Sequence, residues 1–138
     1  MIIDKMLPDD YVRNDRHKTL INLVYTSHWI MDKLNYFLEQ EDITSQQYNI
    51  LRILNLVKTP LSTLKIREMM LDKMSDTSRI VDRMQKKELV HKQISKKDKR
   101  LVDVTLTAKG LKLIEGLEKK AEQLDSMINN LTDRKSVV

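Results

Sequence analysis

The sequence predicts a mainly α fold with one small β-hairpin late in the chain. Three observations predict it. The 138 residues contain only two Gly and two Pro, so long stretches carry no helix breaker. Apolar residues recur at helical spacing over most of the length. Between Val90 and Leu106 that period gives way to alternation, the mark of paired strands.

Met1 to Asn14 is polar and carries Pro8; it reads as an arm. Asp15 to Gln40 has neither Gly nor Pro, and Leu20, Ile21, Leu23, Val24, Trp29, Ile30, Met31, Leu34, Phe37 and Leu38 make a wide apolar stripe. A helix this long needs the rest of the chain, or a second subunit, to cover such a stripe. After a short acidic link, Thr44 with Gln47 fits a capping box. Tyr48, Leu51, Leu54 and Val57 follow at helical spacing, and Lys58-Thr59-Pro60 stops that second helix. Ser62 can cap a short third helix marked by Leu64, Met69 and Leu71. Ser75 or Asp76 can cap a fourth, marked by Thr77, Ile80, Val81 and Met84. Val90–Ile94 and Leu101–Leu106 then read as two strands joined by a short charged turn. Thr107 caps a last long helix with the stripe Leu111, Ile114, Leu117, Ala121, Leu124 and Ile128.

Two short helices followed by a hairpin make a winged helix-turn-helix, here flanked by long helices. Three segments follow: arm and long helix over 1–40, winged helix-turn-helix over 41–107, and a C-terminal long helix over 108–138; the resemblance described below makes the two long helices dimerisation helices.

Charge points to the partner. The net charge is +5. Ser62 to Thr107 holds twelve Lys/Arg against seven Asp/Glu, and the remainder is balanced. A localised basic excess suits a polyanion, and the architecture makes that polyanion double-stranded DNA. In the fourth helix, Ser75, Asp76, Thr77, Ser78, Arg79 and Arg83 would meet the major groove, because a recognition helix presents its N-terminal residues to base edges. Hydroxyls there can bond phosphates or bases, and Arg can pair with guanine. An ordinary capped helix with exposed arginines would show the same pattern. The turn Lys96, Lys97, Asp98, Lys99 and Arg100 is dense in positive charge that an anion would relieve. Asp98 can orient Arg100 by a charge-assisted hydrogen bond, and a fixed Arg suits a narrow minor groove.

Ser78-Arg79-Ile80-Val81-Asp82-Arg83-Met84, then Leu89-Val90, Asp98-Lys99-Arg100 and Val104-Thr105-Leu106-Thr107-Ala108-Lys109-Gly110 resemble, in order and spacing, the MarR family of winged-helix transcription regulators. The weaker helical pattern extends the resemblance over about residues 15–131. It implies a homodimer joined through its terminal helices on a pseudo-palindromic operator. It also implies base or phosphate contact by Ser78 and Arg79, and a wing role for Asp98 and Arg100. Two departures stand out. Glu88 occupies a position where the family usually has Gly, a costly exchange if the backbone there is left-handed. Only five residues follow Leu131-Thr132-Asp133, so the family's final helix is expected to be short or missing.

The family often binds small aromatic or phenolic molecules, and Tyr25, His28, Trp29, Tyr36, Tyr48 and Arg52 are the candidate lining. Aromatics at helical spacing also serve as ordinary core or interface. No metal or other cofactor is expected: the three His are far apart, and Cys is absent. No phosphate loop or nucleophile motif appears, so no enzyme is expected. No run approaches the ~20 apolar residues of a membrane span, and Met1–Asp10 lacks a secretory pattern; a cytoplasmic protein is expected. The reading is a sequence-specific regulator, a ligand-responsive repressor. The alternatives are an architectural or non-specific DNA-binding protein and a helical protein-interaction module.

Overall fold

The computed structural model describes residues 7–129 apart from residue 73. They fall into two compact units that divide between Phe37 and Leu38. Expectations for residues 130–138, including a shortened final helix, lie outside the described residues.

The first unit is the arm and most of helix α1 (Asp15–Glu39). Asn14 caps that helix, its Oδ1 accepting the His17 N–H at 2.9 Å. His17 also receives the Arg13 N–H at Nδ1 (3.1 Å) and stacks on Tyr11 at 5.9 Å. The expected apolar stripe is present but largely uncovered: Leu20, Leu23 and Val24 are each about 60 % exposed.

In the second unit, α2 (Ser45–Val57) starts at the expected capping box. Thr44 Oγ1 accepts the Gln47 N–H and Gln47 Oε1 accepts the Thr44 N–H, both at 3.1 Å. Leu51 and Leu54 enter the core with Ile50 and Ile53, while Tyr48 is half-buried. Lys58, at φ 60°, closes the helix in the left-handed conformation. Strand β1 (Leu61–Ser62) was not expected from two residues of pattern. Helix α3 (Thr63–Met69) follows, capped by Ser62. Its markers differ from expectation: Leu64, Met69 and Leu71 are exposed, whereas Ile66 and Met70 are buried. About two turns offer too few apolar positions to fix a phase, and the buried pair is the one spaced by a full turn.

Helix α4 (Thr77–Lys86) is capped by Asp76 and buries Thr77, Ile80, Val81 and Met84, as its spacing implies. Strands β2 (Val90–Ile94) and β3 (Val102–Leu106) pair antiparallel, Lys92 opposite Val104, and β1 adds to the far edge of β3. Helix α5 (Ala108–Lys119) starts at the Thr107 cap. The expected single long helix is interrupted: at Lys120 the bonding tightens, its N–H reaching Leu117 O at 3.0 Å. The chain continues as α6 (Ala121–Asp125) and a 3₁₀ turn over Ser126–Ile128.

The junction between α4 and the hairpin sets the wing's direction. Glu88 is left-handed at φ 61°, where a side chain is disfavoured. Its carbonyl accepts the Thr107 hydroxyl at 2.6 Å, and Leu89 O accepts the Thr107 N–H at 3.1 Å. Gly110 is required by the same contact, because a Cβ there would sit 2.0 Å from Leu89 O.

Candidate nucleic-acid interface

The turn before α4 is built around Asp72. Its Oδ1 accepts the Met74 N–H (3.0 Å), its carbonyl accepts the Ser75 hydroxyl (2.8 Å), and Gln46 from α2 donates to its Oδ2 (3.1 Å). Ser75 is therefore half-buried with its hydroxyl engaged. Asp76 Oδ1 accepts the Arg79 N–H at 3.2 Å, and Asp76 Oδ2 lies 3.8 Å from Arg79 Nε. Ser78, Arg79 and Arg83 are exposed. Thr77 needs correction as a contact residue. It is 3 % exposed, and its Oγ1 has no partner among the described residues. As the first residue of α4 its side chain turns into the core, the role its spacing implied, and not outward.

At the wing tip, Ser95 is buried and its Oγ accepts the N–H groups of Lys97 (3.2 Å) and Asp98 (3.4 Å). Asp98 grips Arg100 three times: Oδ1 accepts from the Arg100 N–H and from Nε, each at 3.0 Å, and Oδ2 from Nη2 at 2.9 Å. The side-chain bond first, and the backbone bond second, hold the Asp98 carboxyl below the usual carboxylate range. The same bond raises the already high Arg100 pKa. Arg100 nevertheless remains 89 % exposed, so it is aimed without being used up. Lys96, Lys97 and Lys99 are exposed beside it.

The helix and the wing meet. One open groove of about 520 Å³ is lined by Ser75 to Ser78, by Arg100 to Val102 and by Arg67 of α3. A groove lined by two arginines and a helix N-terminus can hold phosphate oxygens. Arg67 was missed in the sequence: one exposed Arg on a seven-residue helix carries no pattern. The Lys92–Asp82 ion pair (2.5 Å) was missed too. It ties β2 to α4 and needs the register to be seen.

The aromatic set divides between the units. Tyr25 and His28 line an open groove with Tyr11 and His17. Trp29 carries the Lys33 ammonium 5.8 Å from its ring centre, and Tyr36 is exposed. In the second unit, Arg52 Nε is paired with Glu118 at 2.8 Å. Burial, then the Glu118 charge, pushes the nearby Tyr48 phenol up, so it stays neutral. Among the described residues no cluster of His, Asp or Glu is placed to hold a metal, and no helix is long and apolar enough to cross a membrane.

The geometry agrees with known proteins. Residues 43–102 match the model of the MarR family. That stretch is similar to the MarR family. Among the solved structures similar to the chain are several MarR regulators. A MarR-like transcription regulator from Bacillus cereus has a TM-score of 0.79 at 20 % identity, covering 88 % of this chain and 86 % of that one. A MarR transcription factor from Planctomyces limnophilus has a TM-score of 0.65 at 27 % identity, covering 80 % and 81 %. A MarR mutant from E. coli, complexed with operator DNA, has a TM-score of 0.71 at 22 % identity, covering 90 % and 91 %. No curated protein sequence matches the chain. The matched stretch thus runs from α2 to the start of β3, with the Glu88 junction inside it.

Proposed function

We propose that this chain is a sequence-specific transcription regulator, a ligand-responsive repressor that binds duplex DNA as a homodimer on a pseudo-palindromic operator. The observation that carries the reading is the groove in which Arg67, the α4 N-terminus and the Asp98-locked Arg100 converge. A duplex offers one repeated anion, and this groove brings two arginines together with a helix N-terminus. A chain of this fold, the E. coli MarR mutant, is complexed with operator DNA, which supports duplex DNA as the partner. Ser78, Arg79 and Arg83 read base edges in this arrangement. Arg67, Arg100 and the wing lysines hold the backbone or minor groove.

The two roles separate experimentally. Arg67→Ala should weaken all duplexes alike and lower the salt slope by about one, whereas Arg79→Ala should cost about 1–3 kcal/mol and relax preference at one base pair. Selection of bound duplexes from a random pool tests the whole reading. The selected site should outcompete unrelated duplex by roughly 10³ or more. A selection that enriches no sequence would favour the architectural alternative, for which the lysine-rich wing tip, indifferent to sequence, is the supporting observation.

The apolar stripe of α1 supports a second subunit as its cover. For ligand response, the candidate residues are Tyr25, His28, Trp29 and Tyr36 in the first unit and Tyr48 and Arg52 in the second. A phenolic acid at Arg52 would share it with Glu118, which already holds its Nε. Arg52→Ala should abolish its binding; unchanged binding would remove Arg52 from the site.

A further inference from the structure

The chain has eight Met and no Cys, so oxidation of sulfur can fall only on a thioether. Burial sorts the described methionines. Met70 and Met84 are fully buried, and the Met70 sulfur already accepts a bond from Asn49 Nδ2 at 3.7 Å. Met127 is half-buried, and Met31 and Met69 are about 40 % exposed. Met74 is 94 % exposed. An oxidant must reach the sulfur, so Met74 stands first among the described residues.

The turn before α4 carries this thioether on a fixed backbone. Asp72 Oδ1 accepts the Met74 N–H at 3.0 Å, and Asp72 O accepts the hydroxyl of the next residue, Ser75, at 2.8 Å. Met74 lines the same groove as Arg67, Arg100 and the α4 N-terminus, the groove suited to phosphate. A thioether is a weak acceptor and leaves guanidinium donors free for phosphate. A sulfoxide is polar, and its oxygen carries partial negative charge. In that groove it competes for the same donors and sets like charge beside a phosphate.

We propose that Met74 is an oxidation site that sets duplex affinity: a peroxide converts its thioether to the sulfoxide, and the groove then holds DNA less tightly. The sulfur lone pair attacks one peroxide oxygen. The S–O bond forms as the O–O bond breaks, and the departing hydroxide takes the proton of the transferred oxygen and leaves as water. Sulfur gives up two electrons and the peroxide gains them. Methionine sulfoxide reductases, one for each epimer, return the thioether, so the change is reversible. The modification stands on exposure alone, whereas its effect on affinity rests on the DNA-binding reading above.

The test treats the full chain with hydrogen peroxide, maps oxidation by peptide mass spectrometry and measures affinity for the best-bound duplex before and after. Met74 should oxidise about tenfold faster than Met70 and Met84, and saturating duplex should slow it. Oxidation should weaken wild-type binding about fivefold or more, the scale of one weakened charged contact, and the reductases should restore it. In Met74→Leu, which keeps every other methionine, affinity before and after peroxide should be equal. Met69→Leu should respond as wild type does. Met74→Gln, polar without any oxidant, should bind more weakly than Met74→Leu. Full oxidation of Met74 with unchanged affinity would overturn the switch and leave the DNA-binding reading standing. So would an equal loss in Met74→Leu, or oxidation that saturating duplex does not slow. Failure of the untreated chain to bind any duplex would instead remove the DNA-binding reading, and the switch with it.

Discussion

Asp98 is acceptor to three N–H groups of one residue, and that makes the wing tip a rigid cation and not a flexible one. A three-atom grip removes rotamer freedom from Arg100 before any anion arrives. Asp98→Asn should leave the fold intact and weaken duplex binding several-fold, and Arg100→Ala should weaken it more; equal affinity of Asp98→Asn and wild type would show that the grip does not matter. The pH dependence has a definite sign. Because Arg100 depresses the folded Asp98 pKa, the grip is fully present above the ordinary carboxylate pKa and is lost as pH falls through the depressed value. The ratio of wild-type to Asp98→Asn affinity should therefore stay constant from pH 8 to about 5. Thr77 carries the opposite lesson. Its hydroxyl is buried without a partner among the described residues, a cost that a methyl would not incur. Thr77→Val should match or exceed wild-type stability, by up to about 1 kcal/mol, and leave duplex affinity unchanged. A large loss of affinity would return Thr77 to the contact surface.

At the scale of elements, the α4–β2 junction is held by α5. Thr107 caps its own helix through Gly110 N–H and donates to Glu88 O, so one hydroxyl joins helix start and wing root. Glu88→Gly should stabilise the chain by about 0.5–1 kcal/mol in urea unfolding, since glycine adopts positive φ without strain. Gly110→Ala should destabilise it by about 1–3 kcal/mol, since a methyl 2.0 Å from Leu89 O forces α5 away from the junction. If Gly110→Ala unfolds at the wild-type midpoint, the close approach is not real. These elements also show what the sequence makes legible. The capping box at Thr44, the caps at Ser62, Asp76 and Thr107, and the α4 burial pattern are local and could be read directly. The phase of α3, the two-residue β1 and the break at Lys120 could not. Each depends on partners distant in sequence, or on too few residues to show a period. At the interface, the Asp98–Arg100 grip spans two residues and was legible. Arg67 and the Lys92–Asp82 pair needed the fold to bring α3, α4 and the hairpin together.

For the whole molecule, the uncovered α1 stripe and the basic interface make one coupled expectation. Apolar side chains such as Leu20 and Leu23 are about 60 % exposed on one chain, a surface that another chain can bury. If a dimer holds two recognition helices, they should engage half-sites one helical turn apart, about 34–36 Å. Sedimentation velocity should then find a dimer at micromolar concentration, and Leu23→Glu should shift it to monomer. The DNA readout should follow. Inserting five base pairs between half-sites turns one of them to the far side of the duplex, because a turn is about 10–10.5 base pairs. Binding should fall to that of a single half-site. Leu23→Glu on the uninterrupted operator should fall to the same level, because it removes the coupling and spares every contact residue. Two unequal losses would separate dimerisation from half-site spacing. An affinity indifferent to the insertion would mean that each winged helix binds alone, and that the α1 stripe serves some partner other than a second copy.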